Sequence, residues 1–388
     1  MLARERVLMA LNHEEPDRVP IDLGSTPVSG ICHNSYADLL SKIGLAGREI
    51  GIIDVLQQLA GVDEDLLEAL GVDFRGIGSH PPASYRLEIV DEGDYEALHD
   101  EWGAKLRRPK LGGHYFDRVE YPIRESTLDA LERYPWPDPD DPSRYAGLRE
   151  EAQAIRNDTP YALVGRCDLG VDILARPQWI RGYAESMLDL AANPDFAEAF
   201  LDRLTDIAVR AWGHFLAEVG QHLDVVALFD DIGMQDRPLI SPAMYRRMVK
   251  PRHARIIAAV KARTKAKVFF HTDGAILDLI PDLIEIGVDI LNPVQVSAQG
   301  MDDTAALKGR FGRELTFWGA ACDSQRILPF GTLQEIRAET RRRIADLAPG
   351  GGYVFAPIHN LQDDVSGEKA LMLYRTALEH GRYPIRAG

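Results

Sequence analysis

The chain predicts an α/β protein, a (β/α)8 TIM barrel with a long insertion after the second strand. Eight short apolar runs alternate with helical patterns over 388 residues. That order implies parallel strands joined by crossover helices. Several runs stop at a polar, chemically capable residue: Arg166-Cys167-Asp168, Asp230-Asp231, His271-Thr-Asp273, Cys322-Asp323 and His359-Asn360. Functional groups gathered at one end of many strands are what a β/α-barrel enzyme needs. The length suits that fold with insertions.

The elements follow in order. Residues 3–12 read as an amphipathic helix, stopped by the charged turn His13-Glu-Glu-Pro-Asp-Arg. The eight strands are expected at 20–24, 71–78, 161–166, 224–230, 268–271, 290–296, 315–320 and 353–357. Helices are expected over 242–261, with apolar residues at helical spacing, and over 333–348, rich in Glu and Arg. The chain from 1 to 388 reads as one barrel domain, and residues 80–160 as a lid or subdomain segment inserted in it. That segment carries an expected strand at 85–90, a turn at Trp102-Gly103, and the stiff connector Pro135-Trp-Pro-Asp-Pro-Asp-Asp-Pro. Gly350-Gly-Gly352 lies before the last strand, at the barrel end opposite the expected chemistry. It reads as a helix-to-strand turn, not a phosphate loop. No strand-GxGxxG-helix unit and no P-loop is present, so nucleotide cofactors are not indicated.

Composition excludes some partners. The net charge of -16 argues against nucleic-acid binding. An anionic substrate stays open, because Arg166, Arg176 and Arg181 are able to build a local positive pocket. No apolar stretch reaches the roughly 18 residues of a membrane helix, and the N-terminus lacks a signal-peptide core. The expected location is the cytoplasm, with no membrane partner. Cys32, Cys167 and Cys322 are odd in number and widely spaced, which argues against a disulfide framework, so reduced thiols are expected.

Strand-end residues supply the candidate site. Residues two apart in a strand point the same way, so His271 and Asp273 both enter the barrel if extension persists. They form a metal pair or a proton-transfer pair, or tie down the loop. His359 caps a helix or joins them, and Cys322 is a core residue or completes a nitrogen/sulfur zinc site with the two histidines. Of Asp230 and Asp231, one points inward and the other outward. The inward one is a candidate general acid or base, with Gln235 as partner, and the other reading is a turn cap. Arg166 clamps a substrate carboxylate or pairs with Asp168 or Asp172. Asn292 and Gln295 read a polar substrate or tie loops, and Asp22 is similarly placed.

Motifs along nearly the whole chain resemble the uroporphyrinogen decarboxylase superfamily. They are Arg4-Glu-Arg-Val-Leu-Met-Ala-Leu, Glu15-Pro-Asp-Arg-Val-Pro, Phe229-Asp-Asp-Ile-Gly-Met-Gln, Ile240-Ser-Pro, His271-Thr-Asp-Gly, Gly287-Val-Asp-Ile-Leu-Asn-Pro-Val-Gln, Phe317-Trp-Gly, Leu328-Pro-Phe-Gly-Thr and His359-Asn-Leu-Gln. The resemblance implies a (β/α)8 barrel. It also implies one of two activities. True decarboxylases carry an arginine-rich N-terminal signature, whereas Ile21-Asp-Leu-Gly-Ser-Thr-Pro-Val-Ser has no arginine. The corrinoid methyltransferase branch uses zinc held by His-x-Cys and a later Cys. The matching positions here are His271 and Asp273, with the later ligand near His359, and Cys322 takes the place of Asp273 if that carboxylate is not a ligand.

The expected function is therefore a zinc-assisted methyltransferase or demethylase. It moves a methyl group from a small O- or N-methyl substrate to a corrinoid protein or folate. The alternatives are a metal-free decarboxylase of uroporphyrinogen type or of another acidic aromatic substrate, and a non-catalytic barrel that binds a small ligand. A homodimer is an open alternative, as relatives often dimerise. All of this requires the imidazoles of His271 and His359 to share one cavity.

Overall fold

Seven of the eight expected runs become strands of one sheet. The computed structural model describes residues 1–385 apart from 171. The sheet runs, neighbour to neighbour, Tyr353–Ala356, Thr316–Ala320, Ile290–Asn292, Lys267–His271, Val225–Phe229, Ala162–Arg166 and Phe74–Gly78. Every pairing in it is parallel. The first expected strand makes only one bridge, Ile21 to Phe355. Pro20 has no N–H to give, and the chain turns away at Gly24, whose φ is +78°.

That short segment nonetheless closes the ring. On one side the N–H groups of Phe355 and Asp22 donate to Pro20 and Phe355 carbonyls, each at 2.8 Å; on the other, the Asp73 N–H donates to the Ile21 carbonyl at 2.8 Å. The Asp73 carboxylate fixes the join. It takes the Ile21 N–H at 2.9 Å, Arg6 at 2.7 Å and Arg18 at 2.8 Å, and it is almost fully buried.

Strand parity sorts the apolar residues into two cores. Val164, Val225, Ala227, Phe269, Ile290, Trp318 and Val354 fill the inside, with Val7 and Leu11 of the helix Ala3–Leu11. Trp318 sits 4.4 Å from Phe74 and 5.2 Å from Phe269, centroid to centroid. The barrel is a packed core below its mouth, not a pore. Alternate residues such as Val268, Phe270, Leu228 and Phe355 face outward into the larger core under the helices.

Helix expectations hold closely at Ala3–Leu11 and Leu333–Leu347. The stretch 242–261 is helical but interrupted by a π turn at Tyr245–Val249. Gly350, Gly351 and Gly352 all adopt positive φ in the turn into the last strand, as expected. The insertion differs from its expected form. It holds a four-stranded antiparallel sheet, Val90–Glu92, Tyr95–His99, Lys105–Pro109 and Asp117–Glu120. Only Val90 of the strand expected at 85–90 is extended in that sheet. These strands are charged on most faces, so their alternation is faint in sequence.

Asp73→Ala leaves two guanidiniums facing a buried gap. Loss of one partner of a buried ion pair costs about 3–5 kcal/mol. Denaturant unfolding of this variant is expected to show a destabilisation of that size, well beyond that of exposed Asp129→Ala.

Candidate functional site

The strand Lys267–His271 delivers its last side chain inward. Phe269 belongs to the inner core, and His271 follows it two residues on. Its ring is held by one hydrogen bond of defined direction. Asn292 Nδ2 donates to the Trp318 carbonyl at 2.9 Å, so Asn292 Oδ1 is left as an acceptor. His271 Nδ1 lies 2.6 Å from that oxygen and must therefore carry the proton. The lone pair is at Nε2, aimed at the mouth.

Two further donors converge there. Asp273 Oδ2 lies 3.9 Å from His271 Nε2. The rings of His271 and His359 stand 6.0 Å apart, centroid to centroid. One ligand atom from each of His271, Asp273 and His359 lies within 4.8 Å of the other two. Asp273 Oδ1 and His359 Nδ1 are buried without a hydrogen-bond partner among the described residues. Buried polar atoms are ordinarily paired. Two such atoms beside an oriented imidazole are a donor set that fits a cation. Burial pushes the Asp273 carboxyl up, opposed by the two imidazoles. Burial also pulls His359 down, opposed by Asp273, which favours its neutral, ligating form.

Asp273 reaches this point because two glycines cross back to back. A Cβ on Gly233 would lie 2.4 Å from the Asp273 carbonyl, and one on Gly274 would lie 2.6 Å from the Gly233 carbonyl carbon. Gln295 Oε1 accepts the Gly274 N–H at 2.7 Å and pins the same turn.

Asp230 and Asp231 divide as strand parity requires. Asp231 faces the mouth, with Oδ1 at 3.9 Å from His271 Nε2, and it accepts the Asp273 N–H at 2.9 Å. Asp230 turns outward and is buried. It accepts the N–H groups of Leu174 and Ala175 at 2.7 and 2.8 Å, and meets His253 Nε2 at 2.8 Å. From a neighbouring strand it takes the first N–H groups of the helix Ala175–Ile180, whose own N-cap residue, Leu174, supplies no side-chain acceptor. Its oxygens are taken by these groups and are not turned to the cavity.

The remaining candidates separate clearly. Gln235 lines a cavity of about 540 Å³ together with Asp273, Gln295, His359 and Asn360. Cys322 is not brought to the trio; it lies in the outer core at 1% exposure, and burial drives its thiol away from the thiolate. The strand Thr316–Ala320 ends before residue 322, and Ala320, at φ +53°, already lies in the outer core, so the inward alternation that places Trp318 does not carry on to Cys322. Asp22 is wholly buried below the mouth, where it takes the Trp318 indole N–H at 3.1 Å and the Ser25 N–H at 3.2 Å. Arg166 pairs with Asp168 at 3.0 Å on the opposite half of the rim.

Some neighbours have no signal in sequence. Tyr115, from the inserted sheet, donates to Asn360 Oδ1 at 2.9 Å, and His114 lies 2.7 Å from Asp363. Asp172, named from sequence as a partner for Arg166, has φ +68° and pairs instead with Arg176 at 2.7 Å. Burial pushes its carboxyl up to about 7, with Arg176 opposing and Asp230 and Asp231 adding to the rise.

The chain belongs to the uroporphyrinogen decarboxylase (URO-D) family, whose model matches residues 118–380. Among solved structures, the fold is similar to a methyltransferase from Methanosarcina mazei, with TM-score 0.62 and 18% identity, over 98% of this chain and 99% of that one. A β-glycosidase from Thermosphaera aggregans matches more loosely, with TM-score 0.42 and 12% identity, over 95% and 98%. No curated protein matches the chain. No helix among the described residues is long and apolar enough to cross a membrane.

The two adjacent aspartates are expected to behave oppositely. Asp230→Ala strands two buried N–H groups, at about 1–3 kcal/mol for each unsatisfied group, and should lower the unfolding midpoint markedly. Asp231→Ala changes a half-exposed side chain and should stay within about 0.5 kcal/mol of the parent protein.

Proposed function

We propose that this protein is a methyltransferase in which His271, Asp273 and His359 hold a zinc ion. It takes a methyl group from a small O- or N-methyl substrate and passes it to a corrinoid protein or a folate. The observation that carries this reading is the convergence of the three donors, with an orphaned atom on two of them. A bound zinc supplies Lewis acidity to the heteroatom that loses its methyl group.

The chain's own residues do the rest. Asn292 locks His271 in the tautomer that offers Nε2, the outer-shell role that metal-bound histidines require. Asp231 stands beside that nitrogen and is placed to hold or deliver a proton at the leaving heteroatom. Gln235 and Gln295 border the cavity and orient the substrate by hydrogen bonds. The inserted sheet acts as a lid, since its tip reaches Asn360 and Asp363 next to His359. The likeness to a methyltransferase fold supports this choice within the family, and the missing arginine signature weighs against uroporphyrinogen as substrate.

The purified chain, mildly dialysed, is expected to retain about one zinc per molecule. Chelation should abolish methyl transfer to cob(I)alamin, and added zinc should restore it. Trace metal only, with activity indifferent to chelators, overturns the reading. Asn292→Ala should weaken zinc binding about 10–100-fold in a competition titration. In cobalt(II)-loaded Asp273→Cys, a sulfur-to-metal charge-transfer band should appear that the parent protein lacks.

A further inference from the structure

Among the described residues that line it, the cavity over the trio has no lysine or arginine; its one basic side chain is His359, a member of the trio. Its charged members are the carboxylates of Asp273 and Asp364. Asp231 adds a third at 3.9 Å from His271 Nε2. The nearby cations are committed elsewhere. Arg326, next to Gln325, is tied to Asp323 at 3.0 Å, and Arg166 across the rim is tied to Asp168 at 3.0 Å. His114 points to Asp363 at 2.7 Å. A dication at the trio would be balanced by Asp273 and Asp231, and Asp364 would leave the cavity negative. The chain's overall charge of -16 adds to that field.

What the cavity offers instead is amides. Gln235, Gln325 and Gln362 border it, with Gln295 and Asn360 deeper in. The first three make no side-chain hydrogen bond to protein among the described residues. An amide both donates and accepts, so it suits neutral polar groups. An anion brought here would lose water and gain no countercharge.

We infer that the substrate is an uncharged or cationic polar methyl donor, and not a carboxylate, phosphate or sulfonate. The inference rests on the proposed methyl transfer only in calling the occupant a substrate. It sets this site apart from one built for a many-carboxylate tetrapyrrole, despite the family's name.

A series matched in size tests it: 4-methoxybenzylamine, 4-methoxybenzamide and 4-methoxybenzoate, titrated calorimetrically into the full chain with and without zinc. The amine and the amide are expected to bind about tenfold or more tighter than the benzoate. Gln325 is exposed, so Gln325→Arg should fold normally. It should narrow or reverse the preference by giving the benzoate a countercharge. Benzoate binding as tight as its partners in the parent protein overturns the inference, as does failure of both amine and amide to bind. A chain that takes up zinc yet prefers the benzoate sinks this inference alone. A chain that takes up no zinc but prefers the amide or amine keeps it, while the methyl-transfer reading falls.

Discussion

The buried carboxylate of Asp73 holds the seam on which the rest of the molecule depends. The segment at Ile21 is too short to close a ring through backbone pairing alone. Asp73 adds a side-chain acceptor for its N–H and draws in Arg6 and Arg18 from the N-terminal region. Closure brings the last strand, and with it His359, around to the same mouth as His271. In an open sheet, the strand Lys267–His271 would stand three places from Tyr353–Ala356 with no reason for their ends to converge. A charge network at one end of the chain thus fixes the geometry of a site formed mostly by its second half.

Around that site, polar groups are ordered from the outside in. The Trp318 carbonyl sets Asn292, and Asn292 sets His271. The Leu174 and Ala175 N–H groups and His253 hold Asp230, which leaves the next residue on the inward side. His271 and Asp231 are thus set by neighbours, Asn292 and Asp230, that do not line the cavity. Such support costs backbone regularity. Asp172 adopts a left-handed conformation, and the helix after the Asp230 strand carries a π turn, a feature often found near functional sites.

Much of this was legible in the sequence because strand parity is a strict rule. Apolar runs ending at His271, Asp231 and Arg166 could be assigned to one rim from their spacing alone, and the two imidazole rings stand 6.0 Å apart. The split between Asp230 and Asp231 also follows from parity, though not which of the two turns inward. Other features depend on partners remote in sequence. Nothing near Cys322 signals that its strand ends too early to aim it inward. Asn292 is an amide like any other until Trp318 is seen to claim its nitrogen. Tyr115 lies in a weakly patterned insertion, and its partner is 245 residues away. The family's motifs placed the fold, but the amides and carboxylates above the trio belong to loops whose arrangement only three dimensions reveal.

The crossing of Gly233 and Gly274 has an evolutionary corollary. With no room for a side chain on either, the main chain beneath residue 273 runs on a fixed rail. The chemistry carried at 273 is then free to vary while its anchor stays put. If the trio holds a metal as proposed, exchanging oxygen for sulfur at that single position would retune the hardness of the site without rebuilding its scaffold.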